Sequence, residues 1–280
     1  MKKIILLDGR SIPVTDKLLE SLAPGRLRGR GVFETMRARN GTIFYLDEHL
    51  RRLSRGLRIL RLPCPCPIRD FREQLARAVA ARPLRNARLR LTVWRSGGGT
   101  HWAIVVVESR SLPAKKYQQG FAAQLVSFRR KLNGDRPYVK SLQYQAYLRA
   151  YERALRRGFD EALLISGKGT LLEGSRSNVF FFRKGVLFTP ALRCGCLRGV
   201  TRQAVIRLAR ARGWKVREAE VDSGQILQAE EAFLTNAVRG LMPLTRIDDR
   251  MISRGRMGPL TRSLIKDYRR IEQRQVVRWP

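Results

Sequence analysis

Four stretches of this chain set residues able to do chemistry at the edges of apolar runs. In "LLEGSRSNVFFF", Leu171 to Phe182, one acid, Glu173, stands where two apolar runs meet, followed by small polar residues. The run Val179 to Phe182 is β-branched and aromatic, as in a largely buried strand. A carboxylate at the mouth of such a strand belongs either to a surface turn, since Gly174, Ser175 and Asn178 are turn formers, or to a site where a cation docks. In "VKSLQY", Lys140 stands just before a helix, beside Val139 and Leu142. A lysine partly removed from water gives up its proton more readily and can form a Schiff base, although composition alone favours a solvated lysine at a helix start. In "CLRGVTRQAV", Gly199, Val200 and Thr201 open a helix, where free N–H groups and the dipole attract phosphate, although an ordinary capped helix reads the same way. "LTNAVRG" adds a second strand-to-turn with a compact polar pair, Thr235 and Asn236.

Composition narrows the chemistry. The 280 residues suffice for one large or two modest domains, and 44% hydrophobic content supports packed cores. No apolar run reaches the roughly 18–20 residues of a membrane span, and the opening "MKKIILLDGR" has too short an apolar run for a signal peptide, so a cytoplasmic protein is expected. There are 57 basic and 23 acidic residues, a net charge of +34, and 11 of the basic residues are lysine. The arginines are spread along the chain on polar helix faces without a nucleic-acid motif, which speaks against a dedicated nucleic-acid role and for coding bias plus an anionic substrate. The pairs Cys64/Cys66 and Cys194/Cys196 are spaced too tightly for usual zinc ligands, so reduced structural thiols and no metal are expected. Two histidines, His49 and His101, leave little material for histidine-centred catalysis.

These groups must be held by alternating strands and helices, an α/β (α+β) chain. The first part reads as a strand closed by an Asp8-Gly9 turn, a strand over Val32 to Ala38 with an Asn40-Gly41 hairpin, and a helix from Leu46 to Leu60. A second helix, "FREQLARAVAAR", precedes two strands joined by "SGGG". A Pro, Lys and Gly break marks residues 113–120 as a linker between a domain over 1–112 and a larger one over 121–280. The second domain holds a strand "AAQLVSFRRK", a loop "LNGDRPYVK", a helix from Gln143 to about Arg157, and strands around Glu173. A helix follows that Thr201 can cap and Gly213 ends, then "KVREAEV", a short helix near Ile226 and "EAFLTNAV".

A Schiff-base lysine, a phosphate cup and a carboxylate for a ring nitrogen are what pyridoxal phosphate requires. Glu173 would then face the pyridinium N–H. Over nearly the whole chain the ordered motifs "GVFETMR", "LDEHLRRL", "VKSLQY", "LLEGSRSNVFF", "LRGVTRQAV" and "EAFLTNAVRGLMPL" resemble the class IV (fold type IV) pyridoxal-phosphate enzymes. The resemblance implies a small N-terminal and a larger C-terminal domain with the cofactor in the cleft between them, usually as a homodimer. It implies that Lys140 is the Schiff-base lysine, Glu173 the partner of the pyridine nitrogen, and Arg52 the phosphate-binding arginine. Val200 and Thr201 match the phosphate-binding pair, Asn236 and Ala237 the second phosphate turn, and Tyr144 the tyrosine on the ring oxygen. Ala237 offers only its backbone where some members carry a hydroxyl, and Gln143 departs from a common Asn. Arg95 falls where lyases and D-amino-acid enzymes can carry a carboxylate-binding arginine, though a surface arginine at a strand end reads the same; Arg239 and Thr35 are further substrate candidates. "LTNAVRGLMPL" and "VKSLQY" look most like aminodeoxychorismate lyases, which form 4-aminobenzoate and pyruvate. Branched-chain and D-amino-acid aminotransferases are the alternatives, using the same residues on a small anionic amino substrate.

Overall fold

The computed structural model describes residues 3–81, 84–129 and 138–277, and the expected loop before Val139 lies largely outside them. The chain divides into two compact units. Unit 1 holds Met1–Ser111, Val139–Ala146 and Glu272–Pro280, and unit 2 holds Leu112–Tyr138 and Tyr147–Ile271.

Unit 1 is built from β1 (Lys3–Leu7), β2 (Arg10–Ile12), α1 (Asp16–Ser21), β3 (Arg30–Arg39), β4 (Thr42–Ile43), α2 (Leu46–Ile59), α3 (Ile68–Ala80), β5 (Asn86–Ser96) and β6 (Gly99–Glu108). The strands form a six-stranded antiparallel sheet ordered β2-β1-β6-β5-β3-β4. Tight hairpins set its register. Asp8-Gly9 and Asn40-Gly41 have positive φ at both positions, as two-residue turns between twisted strands demand, and Gly97-Gly98 turns β5 into β6. Alternation then splits β3. Val32, Met36 and Ala38 join Leu50, Leu53 and Leu57 of α2 and Phe71 and Leu75 of α3 in one core, whereas Phe33 packs with Trp94, Val105 and Leu142 on the opposite face.

Unit 2 contains α4 (Ala114–Gln119), β7 (Phe121–Ser127), α5 (Gln145–Arg156) from Tyr147 onward, β8 (Glu161–Ile165), β9 (Leu171–Gly174), β10 (Asn178–Arg183), β11 (Val186–Pro190), α6 (Val200–Ala211), β12 (Val216–Ala219), α7 (Ser223–Leu227), β13 (Glu231–Asn236), β14 (Gly240–Ile247), β15 (Arg250–Met251) and α8 (Pro259–Val277) as far as Ile271. Its nine-stranded mixed sheet runs β12-β11-β10-β13-β14-β7-β8-β9, with β15 added to β14. Phe121, Leu163, Leu171, Val179, Phe181, Leu234 and Leu244 lie in one core against Ile226 of α7.

Three expectations are corrected, and one helix is added to them. Residues 113–120 are not a bare linker: Pro113 and Gly120 are the caps of α4, because Pro is tolerated where a helix begins and Gly, at φ 75°, where it stops. Residues 139–146 and 272–280 belong to unit 1, so the units are not two continuous spans of chain. Thr201 does not cap α6; Gly199 occupies the cap and Thr201 lies inside the first turn. The long α8 was not expected at all, although Thr261, Leu264, Ile265 and Tyr268 recur at helical spacing and are buried.

Candidate active site

Lys140 owes its place to a close approach of backbones. Leu142 donates to the Gly31 carbonyl at 3.0 Å, and Phe33 donates to the Lys140 carbonyl at 3.0 Å, stitching this segment along the free edge of β3. Gly31 permits it. A Cβ there would lie 2.6 Å from Leu142 Cδ1 and 2.5 Å from the Val93 carbonyl oxygen. The Lys140 amine then stands 4.4 Å over the Phe33 ring and 5.8 Å from that of Tyr144, and the two rings meet edge to face. Lys140 and Tyr144 are half-buried.

Thr35 shares the Phe33 face of β3 and lies opposite Arg90 of β5. Arg90 is mostly buried, its Nε makes no hydrogen bond, and burial together with the charge of Arg88 lowers its pKa to about 10. A buried guanidinium so placed calls for an anion. Arg95 is exposed at the end of β5, opposite Arg30, and alternation puts it on the other face from Arg90.

On the α2 side of β3, Glu34 is 1% exposed and receives Arg52 Nε at 2.7 Å and Nη2 at 2.6 Å. His49 Nδ1 lies 2.7 Å from the same carboxylate, and the charge of Lys140 reaches His49. Burial opposes ionisation of Glu34, but the Arg52 charge and these bonds prevail and hold its pKa down to about 2. His49 is driven the other way, kept neutral by burial, so its Nδ1–H is the donor to the carboxylate. Neither Glu34 nor His49 stood among the expected site residues, whereas Arg52 did. The signal was present: Glu34 interrupts the core-facing series Val32, Met36, Ala38, and His49 and Arg52 stand three apart on one helix face.

In unit 2, Glu173 is 4% exposed at the end region of β9 and accepts the Leu197 N–H at 2.8 Å and the Asn178 amide at 3.4 Å. Asn178 also donates to the Leu197 carbonyl at 2.9 Å, tying the loop before α6 to β10. Behind them the buried Glu161 accepts Ser175, and Ser177 at 2.8 Å, which shapes the turn after Glu173; burial raises the Glu161 pKa. Gly199 caps α6 without a side-chain bond, and Val200 and Thr201 are buried in its first turn. Asn236 uses its side-chain oxygen to accept the N–H groups of Val238 and Arg239, at 3.1 and 2.7 Å, fixing the β13–β14 turn that carries Ala237. Its neighbour Thr235 is opposite Asn178 and has a buried hydroxyl oxygen with no hydrogen-bond partner. Arg239 is exposed, and its carbonyl accepts the Tyr117 hydroxyl at 3.0 Å.

Residues 31–247 match the family described as amino-transferase class IV. The chain belongs to the class IV aminotransferases. It is similar to the branched-chain-amino-acid aminotransferase of Pseudomonas aeruginosa, 31% identical over 95% of this chain and 91% of that one. It is also 29% identical to the aminodeoxychorismate lyase of Bacillus subtilis, over 88% and 87% of the two chains. The crystal structure of the Thermoproteus uzoniensis branched-chain aminotransferase with norvaline superposes at a TM-score of 0.82, with 30% identity over 96% of this chain and 94% of that one. The class IV enzymes use pyridoxal phosphate, and this is such an enzyme. Its residues fit the cofactor: a helix start without a side-chain cap and the unpartnered Thr235 hydroxyl suit an anion, Glu173 suits a ring N–H, and Lys140 suits an aldehyde. Among the described residues no helix is long and apolar enough to cross a membrane.

Proposed function

We propose that this class IV enzyme is an aminotransferase that moves the amino group of an amino acid with an aliphatic side chain to a 2-oxo acid. Its near full-length likeness to branched-chain aminotransferases, one of them solved with norvaline, carries this reading. Pyridoxal phosphate supplies an aldehyde that joins the substrate amine and a ring that accepts the electron pair left when a bond at Cα breaks. Lys140 Nζ would join the cofactor aldehyde and, once freed, would take up and hand back the substrate Cα proton. Glu173, whose carboxylate is fixed by the Leu197 N–H and the Asn178 amide, would accept the N–H of the ring nitrogen. Tyr144 steadies the ring oxygen. In unit 2 the N–H groups of Val200 and Thr201 and the turn of Asn236 and Ala237 would hold the phosphate, and in unit 1 Arg52 is the matching cation. Arg90, with Thr35 beside it, takes a substrate carboxylate, a role that sequence reading assigned to Arg95; the exposed Arg95 and Arg239 steer anionic substrates inward. Phe33 gives the apolar wall against which an aliphatic chain rests.

The lyase remains a second reading, supported by the likeness to the Bacillus subtilis enzyme and by the "LTNAVRG" turn with Asn236 folded onto its own backbone. The order of preference reverses that of the sequence alone. Incubating the loaded enzyme with L- or D-norvaline or leucine in the absence of acceptor tests it. Conversion of the cofactor to its amine form with release of the oxo acid, lost in Lys140→Ala, is expected. No amine transfer with any amino acid, but stoichiometric pyruvate and 4-aminobenzoate from aminodeoxychorismate, would overturn it in favour of the lyase.

A further inference from the structure

Glu34 takes no part in the chemistry above, yet its carboxylate is as buried as any core side chain. A buried acid is costly unless paired, and an apolar pair would join β3 to α2 at least as well. What the ion pair adds is orientation. Glu34 accepts from Nε and Nη2, two adjacent donors of the planar Arg52 guanidinium, so its rotation about the fork is fixed. His49 donates to the same carboxylate and prevents it from turning to follow another partner.

We infer that Glu34 is a positioning residue that acts through Arg52, aiming its guanidinium at the cofactor phosphate. This rests on the reading of Arg52 as a phosphate anchor. Charge and orientation make opposite demands here. Removing a carboxylate beside Arg52 strengthens the raw attraction for phosphate, so weaker binding on neutralising Glu34 can come only from lost aim.

The test is titration of apoenzyme with pyridoxal phosphate, read by tryptophan fluorescence, for Glu34→Gln, Glu34→Asp, Arg52→Lys and Glu34→Gln/Arg52→Lys, with the 31P resonance of the bound cofactor as a second readout. Glu34→Gln should raise Kd about 10–100-fold, the cost usual for the partner that orients a ligating group, and broaden the 31P line. Glu34→Asp should lie between, and Glu34→Gln should add nothing once Arg52 is Lys. An unchanged or tighter Kd in Glu34→Gln, with Kd raised in Arg52→Lys, overturns the inference and leaves Arg52 as the anchor; so does a fall in apoenzyme Tm without a change in Kd. An unchanged Kd in Arg52→Lys removes the anchor reading and the inference with it. If Glu34→Gln does not fold, a wild-type Kd in Glu34→Asp is the overturning result.

Discussion

The N–H of Phe33 donates to the carbonyl of Lys140 at 3.0 Å, while the Lys140 amine stands 4.4 Å over the Phe33 ring. One strand residue therefore holds the lysine by its backbone and by its side chain. Phe33→Leu keeps the backbone bond and removes the ring face, worth about 0.5–2 kcal/mol to a nearby cation. Steady-state kinetics should show kcat lower by about 10-fold with cofactor still bound; wild-type kcat would mean the ring only fills space.

Gly31 is the point at which the Lys140 segment can reach β3. The Cβ of Gly31→Ala would meet the Val93 carbonyl, Trp94 Cβ and Leu142 Cδ1 at 2.5, 2.8 and 2.6 Å. Two of these contacts cannot swing away, so urea unfolding should show a loss of about 1–3 kcal/mol. A wild-type midpoint and slope would contradict the close approach.

Arg90 should separate stability from function. As a mostly buried cation with an unpartnered Nε, it burdens the fold, and Arg90→Met should leave Tm unchanged or higher. If Arg90 takes the substrate carboxylate, KM for the amino acid should rise on the order of 100-fold, matching the roughly 2–5 kcal/mol at stake in a buried charge pair. A lower Tm with wild-type KM would assign it to structure instead.

Glu173→Gln keeps an oxygen for the Leu197 N–H but removes the carboxylate that the proposed function sets against the ring nitrogen. We expect kcat to fall by about 10²–10³-fold, the scale of one lost electrostatic contact in an active site, while the cofactor still binds. Comparable kcat in the two proteins would contradict its role.

Glu34 also sets an acid limb of stability. Its folded pKa of about 2 lies below the ordinary 4.5, so the unfolded chain binds the extra proton and the stabilisation is present above about pH 4.5. It is lost as pH falls towards 2. Chemical unfolding across this window should be steeper with pH in the wild type than in Glu34→Gln; parallel curves would remove Glu34 as the cause.

Much was legible in the residues themselves. Period-two alternation and paired turn residues predicted β3, β5, β6 and their hairpins, and the leucines of α2 marked its buried face. The ordered motifs carried the family and the cofactor, because each is a local pattern of residue types. Other features were misread for a local reason: Pro113 and Gly120 signal a break and a helix cap alike, and only the backbone between them distinguishes the two.

By itself, then, the sequence determined most of the elements, the family and its cofactor, since propensity and motif depend on neighbours in the chain. Tertiary structure alone decided the rest. It gave Glu34 to Arg52 and His49, left Arg90 buried with an unpartnered Nε and Arg95 in solvent, and returned residues 139–146 to the edge of a strand laid down a hundred residues earlier. The physical reason is that the charge state and reach of a side chain follow from burial and from partners distant in sequence, which no local pattern encodes.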